Sequence, residues 1–283
     1  MVNFLRALYL AAIIFNSIGQ ATTPPPQQSC ASNLWSHVHH VEMKDEWEQQ
    51  MNYSSPYIFQ LKKSLSNAIL STYSNLSSLA DDLGFWKMKT YMSTSNLLVK
   101  NYNTKAKAMT LAKILRLAKI NYYNMIPRTN ALFATTLAPH LLQMSNKVLF
   151  HHQQHTKSII PPILRVTAQR GIKWAAHYDG HQNHVLQVLG SKIWLLFPPE
   201  MATFLDLFPL GHPSERHSIL DFAEPQEEHL EHLIAKYGKK AVLTPGDILY
   251  VPPKWIHFTI SITDETISIN WFTRRANGES EFL

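Results

Sequence analysis

His177 and Asp179 stand two residues apart in the stretch Trp174-Ala-Ala-His-Tyr-Asp179. Side chains at i and i+2 of a strand share one face, so an imidazole nitrogen and a carboxylate oxygen can meet one ion from this pair. A third ligand from elsewhere would put two histidines and one carboxylate on a single face. That set leaves the opposite coordination positions open and is the usual site of non-haem Fe(II) oxygenases. His257 is the candidate third ligand. It follows the turn Pro245-Gly246-Asp247, the apolar β-prone run 248–251 and the corner Pro252-Pro253 that ends it.

The elements that must position these residues are short strands. β-prone runs occur at 163–167, 174–178, 185–188, 193–197, 248–251, 258–262 and 266–272, separated by Gly171, by Pro198-Pro199 and by the polar Asp264-Glu265. Many short strands with turn signals indicate a barrel or sandwich. Residues 199–241 form a long insertion containing Pro209, Pro213 and Pro225. Connections of this length are uncommon without a role, so the insertion is read as loops and a short helix, its amphipathic part at 227–236, that pack over the sheet and help to shape a substrate groove.

The region 57–150 is mainly helical in pattern. Apolar residues recur at mixed helical spacing over 64–83. At 104–122, Leu111, Ile114, Leu115 and Ala118 make one apolar stripe opposite Lys105, Lys107, Lys113, Arg116 and Lys119. This reads as a helix packed on the sheet with a solvated basic side, in preference to a helix lying on anionic lipid. The region ends at Pro127. His151, His152 and His155 have helical ligand spacing but no accompanying carboxylate, and they read as a solvated loop. The same holds for His229 with His232 and for His39 with His40.

The chain has 283 residues, 45% of them apolar and 16% charged, which is an ordinary globular balance. Residues 1–21, with Arg6, a short apolar run and small residues before Ala21, read as a secretory signal. Residues 22–50 read as a linker or irregular segment rich in proline and glutamine at its start. Nothing later offers a transmembrane span, so no stable membrane attachment is expected after cleavage. Cys30 is the only cysteine, which excludes an intrachain disulfide. Asn52-Tyr-Ser54 and Asn75-Leu-Ser77 are glycosylation sequons that fit a glycoprotein of the endoplasmic reticulum lumen or exterior. The formal charge of +6 is compatible with acidic partners, but no RNA-binding motif accompanies it and no nucleic acid is expected.

Two longer motifs contain the candidate ligands. The first is His177-Tyr-Asp179, Asn183, Gln187-Val-Leu-Gly-Ser-Lys192 and Leu196-Phe-Pro-Pro199. The second is Pro245-Gly-Asp-Ile-Leu-Tyr-Val-Pro-Pro-Lys-Trp-Ile-His257 followed by Ser268-Ile-Asn-Trp-Phe272. In this order they resemble the JmjC and cupin-like (cupin-8) 2-oxoglutarate oxygenases, the group that includes the asparaginyl hydroxylase acting on hypoxia-inducible factor. The resemblance covers about 164–272 and is weaker before it.

The resemblance implies a mainly β double-stranded β-helix, or jelly roll, over 161–283, braced by helices of an N-terminal part at 51–160. It implies Fe(II) held by His177, Asp179 and His257, with 2-oxoglutarate and dioxygen as cosubstrates. Lys192, fifteen residues after the first ligand, matches the lysine that takes the distal carboxylate of 2-oxoglutarate; Asn183 and Asn270 match asparagines near the cosubstrate. One position departs from the pattern. Many members carry Thr or Ser three residues before the first histidine, whereas this chain has Trp174, whose indole either closes part of that pocket or turns away. The expected function is hydroxylation of a protein or peptide side chain in the secretory pathway. The alternative is a non-catalytic cupin-like binding protein. Histone demethylation or RNA hydroxylation is a third reading, and the signal segment argues against it.

Overall fold

The computed structural model describes residues 35–41, 54–60, 63–118, 122–126, 136–137, 139 and 156–275, all within the compact unit Ala31–Leu283. Residues 1–21, read above as a secretory signal, and Cys30, Asn52, Lys119 and the histidines at 151–155 lie outside the described residues.

The described elements begin with β1 (Ser36–His37), β2 (His39–Val41) and β3 (Tyr57–Gln60). Then come α1 (Lys63–Leu70), α2 (Leu76–Leu83), β4 (Met88–Ser93), β5 (Leu97–Leu98), β6 (Lys105–Met109), α3 (Leu111–Leu117) and β7 (Tyr122–Ile126). The remainder is β8 (Thr156–Thr167), β9 (Lys173–Tyr178), β10 (Gln182–Leu189), β11 (Lys192–Phe197), a 3-10 turn at Pro199–Phe204, α4 (Glu228–Tyr237), β12 (Lys239–Leu243), β13 (Asp247–Val251), β14 (Ile256–Ser261) and β15 (Thr266–Arg275).

The strands form two sheets. The smaller runs β1-β12-β11-β14-β9-β5 and the larger β2-β3-β13-β10-β15-β8-β7-β4-β6. From β8 to β15 the chain crosses between them at every step except β11 to β12, and every pairing among these eight strands is antiparallel. This is a jelly roll. Strand alternation sorts the side chains into layers. On the outer face of the larger sheet, Leu164, Val166, Ile267, Ile269 and Trp271 pack with Leu76, Leu79 and Leu83 of α2 and Ile114 of α3. On the outer face of the smaller sheet, Ile193, Leu195, Phe197, Ile256, Phe258 and Ile260 pack under Met201, Leu205, Phe222, Leu230 and Ile234 of the 199–237 insertion. Fully burying one such side chain contributes about 1.5–3 kcal/mol. Both faces of the central strands are covered, which is why they read as nearly unbroken apolar runs.

The inner layer has two characters. One part is apolar, built from Val185, Trp194, Leu196, Leu243, Leu249 and Val251. The other is polar and contains Thr167, Asn183, Gln187, Lys192, Ser261, Thr266, Ser268 and Asn270, all buried. Gly190 shapes the turn that leads into Lys192. Its φ is +65°, and a Cβ there would fall 1.9 Å from the carbonyl oxygen of Glu265.

The N-terminal half does brace the jelly roll with helices, but the helical reading of 104–122 is corrected. Only Leu111–Leu117 is helical, started by the Thr110 side chain accepting from Lys113 N. Lys105-Ala-Lys-Ala-Met109 is instead the edge strand of the larger sheet, paired to β4. Its apparent basic helix face is a period-2 alternation. Likewise 64–83 divides into two helices, because Asn75 caps a new start by accepting from Ser78 N. Short strands β3, β4 and β7 occupy further parts of the region read as helical. The insertion also holds one more strand than expected, β12 at its end.

Candidate metal centre

β9 and β14 pair antiparallel with His177 directly opposite His257. The register then shifts: Thr259 lies opposite Trp174, so Ala175 and Ala176 together face one residue. A bulge of this kind changes the side-chain parity. It leaves Trp174 and His177, three residues apart, on the same inner side, with ring centroids 6.5 Å apart. Asp179 follows the end of β9, and its carbonyl accepts from Lys254 N at 2.8 Å. That bond ties the β9 exit to the Pro-Pro corner before His257.

One ligand atom from each of His177, Asp179 and His257 lies within 4.8 Å of the others. Both imidazoles are locked in the same way. Nδ1 of His177 faces Ala175 O at 2.9 Å, and Nδ1 of His257 faces Trp255 O at 3.0 Å. A proton on each Nδ1 donates to that carbonyl and leaves Nε2 as the ligand, the outer-shell arrangement that fixes metal-binding histidines. Burial, joined by the neighbouring His257 and His217, holds His177 well below the ordinary histidine range. Burial also lowers His257, against the pull of Asp179. Both shifts favour the neutral ring that metal ligation needs, and His257 Nε2 approaches Asp179 Oδ2 at 3.5 Å as one candidate ligand atom beside another. The set fits a divalent transition metal with open coordination positions.

Beside the triad lies the polar part of the inner layer. Lys192 is 6% exposed and donates to Ser268 Oγ at 3.2 Å. Burial, then the charge of Arg165, lowers its ammonium to about 7. Asn270 donates through Nδ2 to Asn183 Oδ1 at 3.2 Å. Asn270 Oδ1 and Trp194 Nε1 are buried without a hydrogen-bond partner among the described residues, as expected of groups that await a ligand or water.

Three neighbours complete the surroundings, and of these His217 and Arg165 escape motif reading. Trp174 is 7% exposed and packs edge-on against the buried Tyr91, with centroids 5.2 Å apart. The indole thus does not turn away to the surface but lines the interior beside His177. His217, from the insertion, forms an isolated antiparallel bridge with His177, and the two rings stack at 4.9 Å and 5°. Its Nδ1 is tied to Glu215 O at 2.9 Å. The insertion is held to β9 by Ser218 N donating to Ala176 O and by Lys173 Nζ, which reaches Asp221 at 2.6 Å and Glu224 at 2.7 Å. Arg165, on β8, is the third. The exposed His39, His40, His229 and His232 remain apart from the centre, and His229 faces Glu227 at 3.1 Å.

A family model described as the Cupin-like domain matches residues 33–278. The chain belongs to the cupin-like domain family. Among its relatives, tRNA wybutosine-synthesizing protein 4 of Neurospora crassa is 29% identical over 134 residues, covering 44% of this chain and 11% of that protein. HSPB1-associated protein 1 of Homo sapiens is 35% identical over 104 residues, covering 35% of this chain and 21% of that protein. tRNA wybutosine-synthesizing protein 5 of Danio rerio is 32% identical over 110 residues, covering 39% and 32%. The match thus spans a tenth to a third of these relatives. The cupin-like jelly roll accounts for how the candidate ligands meet: His177 and His257 stand on β9 and β14, fixed in register by the sheet, and Asp179 follows the end of β9.

Proposed function

We propose that this cupin-like chain is an Fe(II)- and 2-oxoglutarate-dependent oxygenase that hydroxylates a side chain of a protein or peptide. The observation that carries the proposal is the meeting of His177, Asp179 and His257 with both imidazoles locked to present Nε2. A ferrous ion held there would supply the dioxygen chemistry that couples decarboxylation of 2-oxoglutarate to hydroxylation of a C–H bond. The protein's part is to orient and to shield. Ala175 and Trp255 carbonyls hold the two rings, while Lys192 waits in the buried layer for an anionic carboxylate. Trp174, Trp194 and Tyr91 keep the surroundings dry.

The compartment is part of the same proposal. Residues 1–21 have the composition of a secretory signal, and no helix among the described residues is long and apolar enough to cross a membrane. This supports a protein substrate of the secretory pathway. The relatives named for tRNA wybutosine synthesis supply the competing RNA reading. Trp174 favours a second reading, a cupin-like binding protein without turnover, because its indole lies beside the first ligand. Release of succinate from 2-oxoglutarate by the iron-loaded protein, with His177→Ala as control, separates the readings. The oxygenase predicts iron-dependent succinate that the variant does not form; iron-loaded protein with no turnover supports the binding reading.

A further inference from the structure

The inner face of the larger sheet carries a cation that no motif singled out. On β8, Leu164 and Val166 point outward into the helix-covered core, and Thr167 points inward, where its hydroxyl meets Ser261 at 2.9 Å and Thr266 at 2.6 Å. Alternation places Arg165 on the inner side with Thr167. Arg165 pairs in register with Ser268 of β15, and Ser268 pairs with Gln187 of β10. The three stand abreast across neighbouring strands, and directly opposed residues share a face. Ser268 Oγ is also the group that Lys192 Nζ reaches from the opposite sheet at 3.2 Å.

Arg165 and Lys192 therefore flank one buried hydroxyl. Neither makes an ion pair with a carboxylate among the described residues, and Lys192, with three donors, has one hydrogen bond. Asp179, a member of the candidate triad, acts on Arg165 through its charge. Charges taken out of water persist when they are paired; Lys192 is buried and Arg165 half-buried, and neither has an ion-pair partner among the described residues. Burial, and after it the charge of Arg165, lowers the Lys192 ammonium to about 7.

We propose that Arg165, Lys192 and Ser268 form an anion subsite beside the triad, in which Arg165 is a second cation gripping one carboxylate of a small dicarboxylate. The planar fork of arginine matches a carboxylate with two parallel hydrogen bonds, and the lysine adds a point charge from the facing sheet. Trp174 contributes bulk and no hydroxyl, so the grip on the anion is shifted toward β8. This assignment rests on the reading of the site as a 2-oxoglutarate centre, which it sharpens by naming Arg165 as a further binding residue.

The test is anaerobic calorimetric binding of 2-oxoglutarate, succinate and inorganic phosphate to the full-length protein loaded with Mn(II). Arg165→Met is expected to weaken 2-oxoglutarate and succinate by roughly tenfold to hundredfold, with Mn(II) affinity changed less than threefold. Arg165→Lys should recover part of the loss. Unchanged dicarboxylate affinity in Arg165→Met, or a wild-type protein that binds none of the three anions, overturns the subsite. Should Arg165→Met fail to give a cooperative unfolding transition, Arg165→Lys and Ser268→Ala carry the test; both should lose affinity several-fold, and wild-type affinity in both overturns the proposal. A metal-dependent preference for 2-oxoglutarate over succinate belongs to the oxygenase reading. If that preference is missing while Arg165 still governs binding, the subsite stands and the oxygenase reading falls.

Discussion

Two buried lysines, one on each side of the smaller sheet, have opposite surroundings. Lys173 points outward from β9 under the insertion, where Asp221 and Glu224 both reach its ammonium. Burial alone would lower its pKa, but the two carboxylates outweigh that effect and raise it. Lys192 points inward from β11, has a serine for a partner and is lowered to about 7. The first arrangement is complete without a ligand and serves to fasten the insertion. The second is incomplete, and its discomfort is relieved only by something negative arriving. The same division runs along β14, where His257 faces the site and its neighbour Phe258 faces the outer core. Outer-layer residues should thus govern stability, and inner-layer residues should govern ligands.

The sharpest contrast is between those two neighbours. Phe258→Ala should remove about 3–5 kcal/mol of stability, read as a lower denaturant midpoint, while the folded fraction keeps its metal. His257→Ala should leave the apo unfolding midpoint nearly unchanged but reduce metal retention and succinate release about a hundredfold or more, since even outer-shell changes cost tenfold to a hundredfold. A His257→Ala protein that is unstable yet still active would break the division.

The two lysines give the next test. Lys192→Met should weaken 2-oxoglutarate binding by roughly tenfold to hundredfold and make the unliganded protein more stable. Lys173→Met should do the reverse. It should destabilise the fold by about 1–3 kcal/mol, a figure kept low because Asp221 and Glu224 are partly exposed and screened, with 2-oxoglutarate affinity nearly intact. Parallel denaturation and calorimetry on the two variants check both.

The smallest effect is the pH dependence of the Lys192→Met gain. The folded-state pKa of Lys192 is about 7, below the ordinary lysine value of 10.5, so the unfolded chain binds more protons between these limits. Wild-type apo stability then rises with pH across that window. The stabilisation produced by Lys192→Met should be greatest below pH 7 and fade toward about pH 10.5. A gain independent of pH would point to packing in place of charge.

Much of this arrangement was legible in the residues themselves. The central strands are marked by apolar runs bounded by Pro and Gly, and the triad by its two-residue spacing and the run after Pro252-Pro253. The helical reading of 104–122 failed because the stripe Leu111, Ile114, Leu115 and Ala118, about two turns long, dominated the pattern and hid the alternation of Lys105-Ala-Lys-Ala-Met109. Arg165 left one faint signal, a charge between Leu164 and Val166 in a strand covered on both faces. Its partnership with Lys192 depends on sheet register, which no local spacing reveals. His217 left none, because its place on His177 is set by a long-range backbone bridge and by the clamp of Lys173 on Asp221 and Glu224.

In the proposed function, the imidazoles of His177 and His257 and the carboxylate of Asp179 hold a ferrous ion open to a chelating 2-oxo acid. Anaerobic titration of 2-oxoglutarate into iron-loaded full-length protein, read by the visible charge-transfer absorption that such a chelate produces, tests it directly. The expected result is one iron per chain and a band that saturates at one equivalent and disappears in His177→Ala. Iron held just as well by His177→Ala, or iron-loaded wild type that develops no band, would contradict it.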